Sequence, residues 1–538
     1  MFSKILIANR GEIAVRIIRA CKEMGIATVA IYSQADRDAL HVALADESYC
    51  VGGASPGESY LNEERVVSAA LVSGAQAIHP GYGFLSENAH FAALCRKNGL
   101  VFIGPSPESM EELSDKARLK EIMGRNGLEV IPGTQVLTSA QAALAAAAEI
   151  GYPVMLKASA GGGGRGMRIV SREEDMPKEF KEAIDESKKA FGDDQVFIEK
   201  YLKGPKHVEV QVLADNYGNV VHLFDRDCSV QRRHQKVVEY APAFSVPEAS
   251  RQKIFDSAIR LCKQVGYRNA GTCEFLVDSD GNPYFIEMNP RIQVEHTVTE
   301  LVTDVDIVRS QILIAEGYPL NSPEINITSQ KAIECHGYAI QTRVTSEDPS
   351  NNFMPDTGKV SVYHSGSGNG IRLDGGNVYT GAEILPYYDS LLVKVCSFDR
   401  TFKGAAVKSL RALREMRIQG IKTNISFLIN VINNPTFQAG ACYTTFIEET
   451  PELFSLSQSP DRVSKILDFL GDKIVNVSKG EKPYFEDRVL PKYDETALVY
   501  GAKDEFKKLG AKGFTQKILG EKRLYVTDTS MRDAQQSL

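Results

Sequence analysis

The sequence predicts an α/β fold followed by α+β regions, and three observations predict it. Strand-like runs at residues 4–8, 27–33 and 100–103 alternate with helical runs at 12–24 and 63–73. That rhythm specifies βαβ units on a doubly wound parallel sheet. From His207 the pattern turns to period two, with Val208, Val210 and Val212 on one face and His207, Glu209 and Gln211 on the other. A largely antiparallel sheet follows from that alternation. Composition is the third observation: 538 residues, 43% hydrophobic and 24% charged, with 43 Gly and 22 Pro, describe a folded, turn-rich chain. Disordered, collagen-like and coiled-coil classes are excluded.

Near Pro132 a compact α+β insert begins. Its alanine-rich stretch 140–149 is helical on propensity alone. A strand at 153–159, a glycine run, a strand at 167–170, a charged helix to about 189 and a strand at 196–201 complete it. Helices are expected again at 250–265, 304–316, 403–416 and 425–433, with more strand between 335 and 395. Past about Pro451 the chain is charged and turn-rich, and 478–491 reads as a linker.

Other classes fall away on charge and cysteine use. Lys and Arg number 62 against 69 Asp and Glu, a net charge of −7 that argues against non-specific nucleic-acid binding. Any anionic ligand must then be held by a local cluster. Nine scattered cysteines, none spaced C-x-x-C, suggest neither a disulfide framework nor a zinc site. No apolar run approaches a membrane span, and the chain enters a strand at once without a secretory signal, so a reducing cytoplasm is expected.

Three clusters carry chemistry. Gly161–Gly164, Arg165 and Gly166 match G-x-G-x-x-G by letter, but a strand follows where a dinucleotide loop opens a helix, and Met167 replaces the Lys of a Walker loop. The run therefore reads as a hairpin flap whose bare N–H groups close over phosphate, with Lys157 nearby, or as a surface hairpin without a ligand. The segment 271–289 predicts a second hairpin, turning at Asp280-Gly281 and setting Glu274 opposite Glu287, with Asn289 on the same face as Glu287. Opposed carboxylates destabilise a sheet unless a divalent cation bridges them; otherwise both are solvated or the register differs. Downstream lie Arg291, an oxyanion fork, and Glu295, a proton acceptor. The basic run 231–236 reads as an anion pocket beside the carboxylates rather than a solvated charge run.

With these residues in view, the chain resembles the biotin carboxylase component of biotin-dependent carboxylases, within the ATP-grasp superfamily. The ordered set runs from 4–14 through 79–88, the glycine flap, 226–236, 287–296, 386–390 and 420–424, covering about residues 1–447. The resemblance implies the biotin carboxylase fold: a doubly wound parallel-sheet domain (1–115), an ATP-grasp domain (116–335) with a mobile lid (131–204), and a mixed or antiparallel sheet domain (336–450). It implies that Lys116, Lys157 and the flap glycines Gly162, Gly163, Gly164 and Gly166 meet ATP phosphates. Glu199, Lys200, Tyr201 and Leu202 would hold adenine, and His207, Gln231 and His234 would line the ribose and phosphates. Glu274, Glu287 and Asn289 would hold Mg²⁺ or Mn²⁺; Arg291, Gln293, Val294 and Lys236 would bind bicarbonate, which Glu295 would deprotonate. Arg343 would stabilise the biotin enolate, with Tyr82 and Gly83 near the ring.

Residues 451–522 then form a connector, and 523–538 resemble the first strand of the carboxyltransferase barrel of the pyruvate carboxylase family. There Arg532, Asp533 and Gln536 match an incomplete second site, although Gln535 stands where histidine is usual. The resemblance implies biotin on a separate carrier domain, a carboxyltransferase partner, and homo-oligomers, dimeric through this domain and tetrameric in a longer enzyme. The leading expectation is ATP- and bicarbonate-dependent carboxylation of biotin. An acyl-CoA carboxylase component and a catalytically silent nucleotide-binding module are the alternatives, separated from it by the tail and by turnover.

Overall fold

The computed structural model describes residues 1–114, 119, 122–124, 130–137, 139–158, 167–191, 195–456, 462–475 and 500–525. The chain divides into two compact units, Met1–Ser457 and Gln458–Leu538.

The first unit opens with a parallel sheet of β1 (Lys4–Ile7), β2 (Ala27–Ser33), β3 (Glu47–Gly52), β4 (Ala77–His79) and β5 (Val101–Phe102), ordered β3-β2-β1-β4-β5. The order reverses at β1, which makes the sheet doubly wound as expected. Ile5, Leu6 and Ile7 are fully buried because helices cover both faces. Helix Gly11–Glu23 follows β1 and buries Ile13, Ala14, Ile17 and Ile18 against the sheet. Helices Glu63–Ser73 and Ala89–Lys97 start where Asn62 and Asn88 accept hydrogen bonds from the third backbone N–H beyond them.

A small antiparallel sheet, β7-β6-β8, comes next, from β6 (Val154–Ala158), β7 (Met167–Val170) and β8 (Val196–Lys200). Helices Ala140–Ile150 and Met176–Phe191 cover it through Ala143, Ala147 and Phe180. Lys157 pairs with Met167, so the strands flanking the glycine run form the expected hairpin. The run itself, with Gly162, Gly163, Gly164 and Gly166, lies outside the described residues, as do Lys116, Arg532, Asp533 and Gln536.

The site is built on an eight-stranded sheet of β9 (Lys206–Ala214), β10 (Val220–Arg232), β11 (Gln235–Ala241), β12 (Asn269–Val277), β13 (Pro283–Asn289), β14 (Tyr338–Thr345), β15 (Ile371–Gly375) and β16 (Leu391–Asp399). Its order is β13-β12-β9-β10-β11-β14-β16-β15, and every neighbouring pair is antiparallel. Val208, Val210 and Val212 pack on helix Glu248–Gln264 through Ile254, Phe255, Ala258 and Leu261.

Three helices depart from the sequence expectation. Helix His296–Thr303 is rich in Thr and Val, so propensity hides it, but all of its residues except Leu301 are buried and packing decides. Helices Arg462–Val475 and Ala502–Gly520 stand where turn-rich chain was expected. In the first of these the apolar residues Ile466, Leu467, Leu470 and Ile474 recur at helical spacing beneath the dense charge.

Candidate functional site

Three carboxylates form one row across β9, β12 and β13. Glu209 lies opposite Glu274, and Glu274 lies opposite Glu287. The expected Glu274–Glu287 pairing is present, but a different turn produces it. Val277 pairs with Pro283, so the turn spans Asp278–Asn282 rather than two residues at Asp280-Gly281. The Asp278 side chain accepts from the backbone N–H groups of Asp280 and Asn282, and this closure favours the longer turn. Ile286 then bulges between Phe285 and Glu287, which restores the register that faces the two glutamates.

The polar face of β9 is not solvated: Glu209 and Gln211 are fully buried, and Glu274, opposite on β12, is 7% exposed. Lys236 neutralises the row. Its Nζ donates to Glu209 Oε2 (2.6 Å), Glu274 Oε1 (3.1 Å) and Glu295 Oε1 (2.6 Å). Burial works against the ammonium, yet the three carboxylates hold its pKa well above the usual lysine range. Asn289 Nδ2 (2.9 Å) and Gln293 Nε2 (2.8 Å) also donate to Glu274 Oε1. Burial raises the Glu274 pKa, but Lys236 and His207 together pull it well below normal. His207, Glu209 and Glu274 bring donor atoms within 4.8 Å of one another, but Lys236 already stands 2.6 Å from Glu209 among them.

Glu295 sits between Lys236 and Arg343, whose Nη2 donates to its Oε2 at 3.1 Å. Burial opposes its ionisation, and Lys236, Arg343 and Arg226 overcome it, so the carboxyl titrates well below the ordinary range. Arg343 Nε donates to the buried Glu239 (2.6 Å), which also accepts from Gln341 Nε2 (2.9 Å). Arg226, 0% exposed, donates to Glu209 (2.5 Å), Gln211 (2.8 Å), Thr299 (2.9 Å), Gln293 (2.9 Å) and Thr272 (3.2 Å). Glu209, Arg226 and Glu239 are site residues that motif reasoning missed. The signal available for Glu209 was its place on the polar face of β9, read as alternation but not as a second buried layer.

The basic run 231–236 is divided by strand geometry. Gln231 and Lys236 are direct cross-strand partners and face the carboxylates. Arg232 and Arg233 instead donate to Asn352. The run is therefore not a single anion pocket. Its tip, Arg233-His234, holds positive φ at both positions (49° and 62°), a mirror-image turn that usually takes Asn-Gly. Gln231 Nε2 donates to His207 Nδ1 (2.5 Å), so Nε2 of that ring carries the proton and donates to Glu274 Oε2 (2.9 Å). Burial lowers the His234 pKa, with Lys157 and His207 among the groups it feels.

On β6 and β8, Lys157 Nζ donates to Glu199 Oε2 (2.5 Å); Lys200 donates to the Gly151 carbonyl (2.6 Å), and Tyr201 and Leu202 follow directly. At the far side, Arg291 donates to Asn289 Oδ1 (3.1 Å) and pairs with Glu87 at 3.0 Å. The Val294 carbonyl accepts from Lys394 (3.0 Å). Tyr82 donates its hydroxyl to Glu12, and Gly83, next in the chain, has φ 69°. Glu274, Glu287 and Asn289 carry the hard oxygen donors that suit Mg²⁺ or Mn²⁺, although here Asn289 turns its amide nitrogen to Glu274 and its oxygen to Arg291.

All nine cysteines are free, and no described helix is long and apolar enough to cross a membrane. Residues 1–110 match the family "Biotin carboxylase, N-terminal domain", 115–323 match "Carbamoyl-phosphate synthase L chain, ATP binding domain", and 341–449 match "Biotin carboxylase C-terminal domain". Pyruvate carboxylase of Staphylococcus aureus is 50% identical over 99% of this chain and 47% of its own length. The chain thus spans about half the length of the curated relatives it matches. Among solved structures, the biotin carboxylase domain dimer of Hydrogenobacter thermophilus 2-oxoglutarate carboxylase, with MgADP and bicarbonate, is 48% identical. It superposes with a TM-score of 0.81 over 85% of this chain and 100% of that one. The biotin carboxylase subunit of a pyruvate carboxylase is also 48% identical, with a TM-score of 0.73 and the same coverage.

Proposed function

The chain belongs to the biotin carboxylase family, and we propose that it carboxylates biotin at the expense of ATP and bicarbonate, as the first half-reaction of a pyruvate carboxylase. The observation that carries this reading is the convergence of Glu209, Glu274 and Glu295 on Lys236, with Arg343 bridging Glu295 and Glu239. Carboxylates, an ammonium and a guanidinium stand together where an anion must be bound, deprotonated and passed on.

Lys157, Lys116 and the glycine run would meet ATP phosphates, with Glu199 to Leu202 at the base and His207, Gln231 and His234 along the ribose side. A metal ion held by Glu274, Glu287 and Asn289 would neutralise phosphate charge during transfer. Bicarbonate would lie against Arg291, Gln293, Val294 and Lys236. Before it binds, Glu295 is a weak base because Lys236 and Arg343 share its charge. An arriving anion takes part of that positive charge, the proton affinity of Glu295 rises, and the bicarbonate O–H proton passes to it. The bicarbonate oxygen then attacks the γ-phosphorus, ADP leaves, and carboxyphosphate is formed; it splits to CO₂ and phosphate. The released phosphate would take the N1′ proton of biotin, and Arg343, with Tyr82 and Gly83 beside the ring, would hold the resulting enolate as N1′ attacks CO₂.

Pyruvate as the final acceptor rests on the resemblance of residues 523–538 to a carboxyltransferase strand and on the relatives of greater length. Equal identity to a 2-oxoglutarate carboxylase domain follows naturally, since no keto acid enters this half-reaction. We further propose domains at 1–115, 116–335 and 336–450, a biotin carrier and a carboxyltransferase as partners, a homo-oligomer, and a reducing cytoplasm that keeps the cysteines free.

The purified chain should hydrolyse ATP only with bicarbonate and Mg²⁺, and faster with free biotin. Glu295→Gln or Arg343→Ala should remove most of the biotin dependence, a loss on the order of 10²- to 10³-fold. ATP hydrolysis at one rate with and without biotin would sink the proposal.

A further inference from the structure

We propose that Lys394 is a positioning residue that locks the bicarbonate-side loop 291–295 to the biotin-side Tyr82, so that both substrates are held by one buried ammonium. The inference rests on the functional reading above and concerns a residue to which that reading gives no role.

Lys394 lies on β16, directly opposite Arg343 on β14 and Asp374 on β15. Its side chain is 0% exposed. Three oxygens from three separate parts of the chain surround Nζ: it donates to the Val294 carbonyl at 3.0 Å, pairs with Glu12 Oε1 at 3.0 Å, and has Asp374 Oδ2 at the ion-pair distance of 3.7 Å. A compact ammonium can face three such separate oxygens at once, whereas a guanidinium presents a planar fork, so this arrangement suits lysine. Glu12, the second residue of helix Gly11–Glu23, also accepts the Tyr82 hydroxyl. One buried contact set therefore runs from the carbonyl of Val294, one residue before Glu295, through Lys394 and Glu12 to Tyr82.

A buried ion-pair cluster is costly to desolvate, and replacing all of its members by apolar groups is often neutral for stability, whereas removing the ammonium alone would strand Glu12 and Asp374. Framework stability alone therefore does not account for the cluster. The three oxygens around Nζ instead set three positions that the reaction needs in register: the bicarbonate loop, the tyrosine beside biotin, and the strand next to Arg343. Misplacement of such groups by a fraction of an ångström to an ångström is expensive in rate and in apparent affinity.

The wild-type chain is assayed first for bicarbonate-dependent, biotin-stimulated ATP hydrolysis. A chain with neither dependence removes the functional reading, and this inference with it. Where both are present, Lys394→Met should raise KM for bicarbonate and KM for biotin together, by roughly 10- to 100-fold. KM for ATP should stay within about twofold, because among the described residues the partners of this lysine are Val294, Glu12 and Asp374 rather than the nucleotide-side groups. A folded Lys394→Met protein in which either the bicarbonate or the biotin constant is unchanged overturns the inference. Should that variant fail to fold, as read by thermal unfolding, Glu12→Gln carries the test. It keeps the side-chain shape and removes the charge that Lys394 and Tyr82 share, so it must raise both constants, and failure to move either one overturns the inference.

Discussion

A part-buried lysine and a fully buried one on the same sheet meet carboxylates in different ways. Lys236 is 14% exposed and faces Glu209, Glu274 and Glu295, with Arg226 and Arg343 as the other cations and Glu239 as a fourth carboxylate. Lys394 is 0% exposed and faces Glu12 and Asp374, while Arg372 and Arg16 complete the chain through Glu300. In the second cluster, Lys394, Arg372 and Arg16 balance the buried Glu12, Asp374 and Glu300, and Arg16 also pairs at 2.6 Å with Asp306, which is 36% exposed at the rim. In the first, carboxylates outnumber cations, and a further one, Glu287, stands opposite Glu274. The difference separates an open cluster completed by charged ligands from a closed one that fixes the frame around it.

The largest test breaks the open cluster. Lys236→Met leaves three carboxylates facing one another, so stability to urea should fall by on the order of 3–5 kcal/mol and biotin-dependent turnover should vanish. Adding Glu209→Gln should return much of the stability and none of the turnover. The comparison fails if restored charge balance also restores turnover, because Lys236 would then act only by holding its neighbours in place, as Lys394 does.

Much of the open cluster was legible. Opposed Glu274 and Glu287 followed from the hairpin pattern, although a longer turn and a bulge at Ile286 cancel to give that register. The parallel sheet was legible because β1 is apolar from Ile5 to Ile7 and strand-like runs alternate with helix patterns. The closed cluster was not. Glu12 is hundreds of residues from Asp374 and Lys394, and nothing in periodicity brings single charged residues on β15 and β16 against the first helix. Arg226 and Glu239 were missed for the same reason, since strand alternation assigns polar residues to a face without saying that another layer covers it.

A smaller effect distinguishes the clusters by pH. His296 lies in the Lys394 cluster, where burial first, and then Lys394, depresses its pKa to about 3. The unfolded ring takes a proton below about pH 6.5 and the folded ring does not, so stability falls as pH drops from about 6.5 toward 3. Near pH 5.5 this ring alone costs about 1 kcal/mol. Urea unfolding at pH 7 and pH 5.5 should therefore show a smaller decline for His296→Gln than for wild type, by about that amount. Glu274 and Glu295, both depressed, contribute stability that is present above about pH 4.3 and lost only as pH falls further. An equal pH 7 to 5.5 decline in both proteins would mean that this ring is not held neutral.

The smallest effect is expected at a cation on the same hairpin as Lys236 whose hydrogen bonds go to no carboxylate. Arg232 donates to the Asn352 carbonyl (2.8 Å) and Oδ1 (2.7 Å), and its guanidinium lies 4.2 Å from the Phe353 ring centroid. Arg232→Ala removes these exposed contacts, which are together worth about 1 kcal/mol or less, and should leave KM for ATP and bicarbonate unchanged. Gln231→Ala, one residue earlier and on the other face, should raise KM for ATP because His207 loses the amide that sets its tautomer. Strand pairing makes that distinction: Gln231 stands opposite Lys236, while Arg232 stands opposite Gln235. If Arg232→Ala weakened ATP or bicarbonate as much as Gln231→Ala, positive charge along the whole run would be the operative feature. Carboxylate contact would then no longer separate the reacting lysine from its neighbours.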